Sequence, residues 1–203
     1  MKGTTYLQKY IVVSAHYDHL GKAPNGSIYY GADDNASGVA CLLALATYFK
    51  SNPHPYSLIF AAFDKEESRF EGAYNIVEQQ VKHGHLPEIA FNLNMDMIAR
   101  SDKNEIFASG ILHYPGFMYA INEVQLKTNV KLLMGHDGQR LEADWTNQSD
   151  HWAFHEQFIP FLYIGVEDHP NYHKPTDTYY KINYSRYIEN CNMVALLTKV
   201  LKP

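Results

Sequence analysis

Nowhere in the 203 residues does an apolar run approach the roughly 18 positions that a membrane-spanning helix needs. The opening stretch, MKGTTYLQKY, also lacks the apolar centre of a signal peptide, so a soluble chain is expected and its compartment is left open. Charge of one sign is scarce as well. The formal net charge is -5 and no block of like charge extends beyond a few residues, which speaks against a nucleic-acid partner and against an anionic membrane surface. There are 2 cysteines, Cys41 and Cys191, in apolar helical patterns far apart in the chain. That placement suits buried free thiols better than a disulfide. Internal repeats and low-complexity linkers are missing too.

What is present is a chain 46% apolar and 19% charged, enough to bury the core of one globular domain over residues 1–203. Runs rich in β-branched and aromatic residues, YIVVSA, SLIFAAF, IAFNLNM and FIPFLYI, read as strands buried on both faces, as parallel strands are. Between them, ASGVACLLALATYFK, GAYNIVEQQVK, GFMYAINEVQL and SRYIENCNMVALLTKVL carry apolar residues at helical spacing. The alternation predicts an α/β fold, a three-layer sandwich with a mostly parallel central sheet flanked by helices. Asn35 is placed to cap the helix that begins at Ala36.

Polar residues then fall at the carboxyl ends of the predicted strands: His16 after IVVSA, Glu66 and Glu67 after LIFAAFDK, Asp96 after FNLNM, His173 in the loop after FLYIG. Asp33 and Asp34 precede the first helix on the same edge. In open α/β sheets that edge is where ligands bind. Convergence there would gather Asp33, Asp34, Glu66, Glu67 and Asp96 with no Lys or Arg in those motifs to offset them. Taken singly, a histidine after a strand or an acidic doublet is ordinary structural or loop chemistry. Together they call for a cation, and a His and carboxylate set suits zinc. Asp96, inside NLNMDMI, is the most telling, because a carboxylate there is costly to bury without a partner. In AHYDH, Asp18 stands where it can accept the second imidazole N–H of His16. His54, His83, His85, His113, His136, His155 and His169 fit no pattern and are expected on the surface or in loops.

The ordered motifs AHYDH, GADDNASG, EE, NMDM, SDH and YHKPTDT resemble those of the co-catalytic dizinc aminopeptidases typified by bacterial leucine aminopeptidases, peptidase family M28. The resemblance implies two Zn2+ ions, one held by His16 and Asp96, the other by Glu67 and His173, with Asp33 bridging. It also implies Glu66 as general base, Asp18 in support of His16, a cis peptide between Asp33 and Asp34, and a peptide substrate with a free N-terminus. Members of the family are frequently exported. They normally carry further strand and helix upstream of the first metal-bearing strand, so either this domain lacks those elements or its sheet is smaller.

Two metals roughly 3.5 to 4 Å apart can share a water and bind a scissile carbonyl, and a carboxylate just outside their ligand set serves as base and then acid. Ser149, Asp150 and His151 are expected either to donate to the developing oxyanion or to cap a helix. Pro175 stiffens the turn after His173, and Asp177 can orient that histidine or a nearby backbone. A glycine usual after the two glutamates is replaced by SRFEG, which sets Arg69 and Phe70 near the site entrance. SDHWAF and VEDHPNYH are expected as cavity walls favouring an apolar first residue. Three alternatives stand beside the aminopeptidase: a glutaminyl cyclase using one zinc, a carboxypeptidase or dipeptidase, and a domain that binds peptides without turnover.

Overall fold

The computed structural model describes residues 1–101, 103–138 and 143–202. Strands β1 (Tyr6–His16), β2 (Tyr56–Phe63), β3 (Ile89–Met95), β4 (Glu105–Ser109), β5 (Lys131–Met134) and β6 (Phe161–Gly165) form a sheet ordered β2-β1-β3-β6-β4-β5. Pairing is parallel except between β4 and β6. The expected mostly parallel sheet is thus observed. β4 and β5 are additional to the four strands legible in the sequence, because EIFAS and KLLM are too short to stand out from a helical or irregular background.

Helices α1 (Ala36–Ser51), α3 (Met118–Gln125) and α5 (Tyr184–Val200) lie against one face of the sheet, and α2 (Glu71–His83) with α4 (His151–His155) against the other. Alternation along β1 divides the core between these layers. Ile11, Val13 and Ala15 pack with Cys41, Leu42 and Leu45 of α1, while Val12 packs with Ala73 and Val77 of α2 and Phe154 of α4. Both thiols are free, as expected. Among the described residues no helix is long and apolar enough to cross a membrane.

Asn35 caps α1 as its type predicts, with Oδ1 accepting the N–H of Gly38 at 3.0 Å. A side chain at Gly38 would come within 2.7 Å of the Met95 carbonyl oxygen, so glycine is what lets the start of α1 seat against the end of β3. That close approach brings the GADDN loop over the carboxyl ends of β1 and β3.

Candidate metal centre

Parallel register alone assembles the first half of the site. Ser14 of β1 lies opposite Asn94 of β3. Two residues further on, where side chains return to the same face, His16 meets Asp96, with Nε2 3.3 Å from Oδ1. Glu66, from the loop after β2, joins them: each of the three offers a donor atom, and these atoms lie within 4.8 Å of one another. All are buried. Burial by itself would lower the His16 imidazole, but the Asp96 charge and hydrogen bonds to Asp18 and Asp96 raise it well above its usual value. Burial would likewise raise Asp96, and the neighbouring His16 charge with hydrogen bonds from His16 and Ser149 brings it below the ordinary carboxylate range.

A second group, His19, Asp34 and Glu67, satisfies the same spacing. Asp34 borders both groups. Its Oδ1 is 3.5 Å from His16 Nε2, while Oδ2 is 3.6 Å from His19 Nδ1 and 3.1 Å from His173 Nε2. Glu67 Oε1 stands 2.9 Å from His19 Nδ1 and 3.6 Å from His173 Nε2.

This arrangement corrects the sequence reading, in which Asp33 held the shared position. Asp33 points away from both groups: Oδ1 accepts the N–H of Ala99 at 2.8 Å and Oδ2 faces His169 Nε2 at 3.2 Å. The cis peptide lies at Asp34–Asn35 and not at Asp33–Asp34. In an irregular turn two adjacent aspartates project in different directions, and the doublet itself does not say which one faces the cleft. Contacts distant in sequence decide it. Asp177 Oδ2 accepts the backbone N–H groups of both Asp33 and Asp34, at 2.9 and 3.2 Å. Asn35 ties the next residue down, its Nδ2 donating to the Met95 carbonyl and its Oδ1 accepting from Met97 N–H.

Asp18 also differs from expectation in its main contact. Its Oδ1 is 3.6 Å from His16 Nδ1, whereas its carboxylate accepts the backbone N–H of Glu66 at 3.0 Å and of Glu67 at 3.3 Å. It therefore holds the double-glutamate turn. Burial would raise the Asp18 carboxyl, and the His16 hydrogen bond with these backbone donors keeps it below the usual range.

Of the two roles expected for Ser149, Asp150 and His151, only the position of the helix cap is taken, by Asp150. None borders the cavity among its described lining residues. Ser149 Oγ accepts from Asn94 Nδ2 at 3.0 Å and bonds Asp96. Asp150 opens α4 without a side-chain capping bond, and burial pushes its carboxyl up to about 8. His151 Nε2 donates to the Trp145 carbonyl at 3.0 Å, and complete burial takes its imidazole down to about 4. His54, His136 and His169 lie in loops, as expected, and are buried there. His19 lies in the same AHYDH motif, and its spacing of three residues from His16 is the signal in the sequence that marks it.

Above the two groups opens a cavity of about 540 Å³. Arg69 and Phe70 line it as expected, as do Asp168, Tyr172 and His173. The SDHWAF stretch does not; Trp145 and Gln148 supply that wall. Burial is the largest influence on Asp34 and Glu66, and with the Asp96 charge it outweighs His16 to push them up to about 8 and about 9. Such carboxylates invite a cation. Donors about 2.0–2.2 Å from one tetrahedral zinc stand roughly 3.3–3.6 Å apart, and the histidine–carboxylate separations here run from 2.9 to 3.6 Å. The donor types and spacing fit zinc.

Known proteins resemble this chain in sequence and in fold. Aminopeptidase YwaD of Bacillus subtilis is 27% identical over 87% of this chain and 37% of its own length. A crystal structure of BSAP, a zinc aminopeptidase from Bacillus subtilis, superimposes with a TM-score of 0.79 at 25% identity, over 98% of this chain and 48% of that one. A glutaminyl cyclase from Fimbriiglobus ruber shares the fold, with a TM-score of 0.75, 20% identity, 96% of this chain and 72% of its own covered. The chain thus spans less than half the length of the Bacillus relatives it matches. Residues 1–198 match the sequence model of Peptidase family M28, and the chain belongs to that family.

Proposed function

We propose that this chain forms the catalytic centre of a zinc-dependent aminopeptidase, which hydrolyses the first residue from a peptide. The observation that carries the reading is the division of the Asp34 carboxylate, one oxygen turned to His16 and the other to His173. In this reading His16, Asp34 and Asp96 would hold one zinc, and Asp34, Glu67 and His173 would hold a second. Zinc in such a centre supplies Lewis acidity towards a carbonyl oxygen and acidifies water.

The remaining work falls to the chain's own groups. Glu66 Oε takes the proton from the attacking water and passes it to the leaving amine, a task for a carboxylate beside the ions but outside their ligand set. Asp18 supports that division of labour by holding the N–H groups of both glutamates from one carboxylate. Phe70, Trp145 and Tyr172 in the cavity wall favour an apolar first side chain.

The test is turnover by zinc-loaded protein on leucine amide, its N-acetylated counterpart, a dipeptide with its N-terminus blocked or free and a peptide beginning with glutamine. Release of leucine from the unblocked amide and not from the acetylated one is expected. Release from the blocked dipeptide would move the reading to a carboxypeptidase, and cleavage of the same dipeptide only when its N-terminus is free, with leucine amide left intact, to a dipeptidase. Cyclisation of the glutamine peptide without hydrolysis would replace it with a glutaminyl cyclase.

A further inference from the structure

The second donor group holds a histidine, His19, that the reading above does not use. We propose that His19 is a protein ligand of the second zinc position, completing a four-donor set with Asp34, Glu67 and His173. The inference rests on the two-ion reading and adds to it. His19 Nδ1 stands 2.9 Å from Glu67 Oε1 and 3.6 Å from Asp34 Oδ2, and His173 Nε2 faces the same two oxygens at 3.6 and 3.1 Å. The rings approach from different directions, with centroids 5.9 Å apart and planes inclined by 59°. Two imidazoles thus converge on one pair of carboxylates.

His19 is seated as a ligand would be. Its side chain is 9% exposed, against 39% for His173. Its other nitrogen, Nε2, has no hydrogen-bond partner among the described residues. A buried polar ring must recover its lost hydration somewhere, and for His19 that recovery lies on the Nδ1 side. Gly31, at φ +58, makes room for it: a Cβ there would come within 2.8 Å of the imidazole Cγ. Tyr29 packs edge-on against the ring.

The consequence is an asymmetric pair. With His19 the second position has one protein donor more than the first, which is served by His16, Asp34 and Asp96 beside Glu66. The two positions should therefore fill in separate steps, the one with more donors at lower free zinc.

Calorimetric titration of metal-stripped protein with zinc, with circular dichroism to confirm folding, tests this on wild type, His19→Ala and His19→Gln. Two sites of unequal affinity are expected for wild type, with the tighter one weakened at least tenfold in both variants and the weaker one little changed. X-ray absorption of the two-zinc wild type provides a measurement that needs no variant, and it should count three imidazoles shared by the two ions. A count of two imidazoles, or unchanged affinities in a folded His19→Ala protein, would overturn the role of His19 while leaving the two-ion centre intact. Wild type that binds fewer than two zinc ions would instead remove the reading beneath it.

Discussion

Asp177 reaches across 143 residues of sequence to accept the backbone N–H of Asp34 on its Oδ2, at 3.2 Å. The same oxygen takes the Asp33 N–H at 2.9 Å, so one buried carboxylate orients the turn from which Asp34 projects. Asp177→Ala leaves two buried N–H donors unpaired, and a loss of about 1–3 kcal/mol per group is the general cost. Thermal unfolding should show that loss, and zinc titration should show weaker binding. In Asp177→Asn an oxygen acceptor is kept, and the defect should be smaller in both measurements.

The neighbouring aspartates provide a direct contrast. Asp34→Asn removes the carboxylate that faces both donor groups, and loss of both zinc ions is expected. Asp33→Asn disturbs the contacts to Ala99 and His169 instead. It should lower the melting temperature while the folded protein still binds zinc. Metal analysis of the two purified variants distinguishes them, and the reverse pattern would restore Asp33 to the shared position.

Glu66→Gln keeps the shape of the side chain and removes its capacity to take a proton. Zinc content should be unchanged and kcat on leucine amide should fall by roughly 10²–10⁴, the usual contribution of a positioned general base. Undiminished turnover would exclude Glu66 from that role.

Metal removal should invert the response of stability to pH. In the metal-free protein Asp34, Glu66 and Asp150 have folded-state values of about 8, about 9 and about 8, against roughly 3.9–4.3 when unfolded. Between those limits the folded state binds more protons, so its stability is present at acid pH and is lost as pH rises through the folded values. His151, driven down to about 4, acts oppositely, but only below its unfolded value. From about pH 6.5 to about pH 8 the stripped protein should therefore melt at progressively lower temperature. Zinc requires its ligands deprotonated, so the loaded protein should gain stability over the same interval. Melting curves with chelator and with zinc decide the matter.

Much of this site could be read in advance because strand ends are local features. His16, Glu66, Glu67, Asp96 and His173 each follow an apolar run or its loop, and a parallel sheet brings such ends to one edge whatever the details of packing. Asp34 and His19 could not be assigned that way. Both lie in the long irregular segment between β1 and α1, where no periodicity says which way a side chain turns. The role of Ser149, Asp150 and His151 stayed open for a related reason: a short polar motif before a helix looks the same whether it faces a cavity or supports the site from behind.

By itself the sequence determined the layered α/β architecture, through runs of apolar residues with period two and helical period, and the chemistry of the site, through carboxylates that have too few cations beside them. Tertiary structure alone decided which aspartate stands between the two donor groups, because that depends on hydrogen bonds that the turn donates to Asp177 and Met95 and accepts from Ala99, all far away in the chain. It also decided that His19 joins them, since burial and orientation of a loop histidine come from what packs around it and not from its neighbours in sequence.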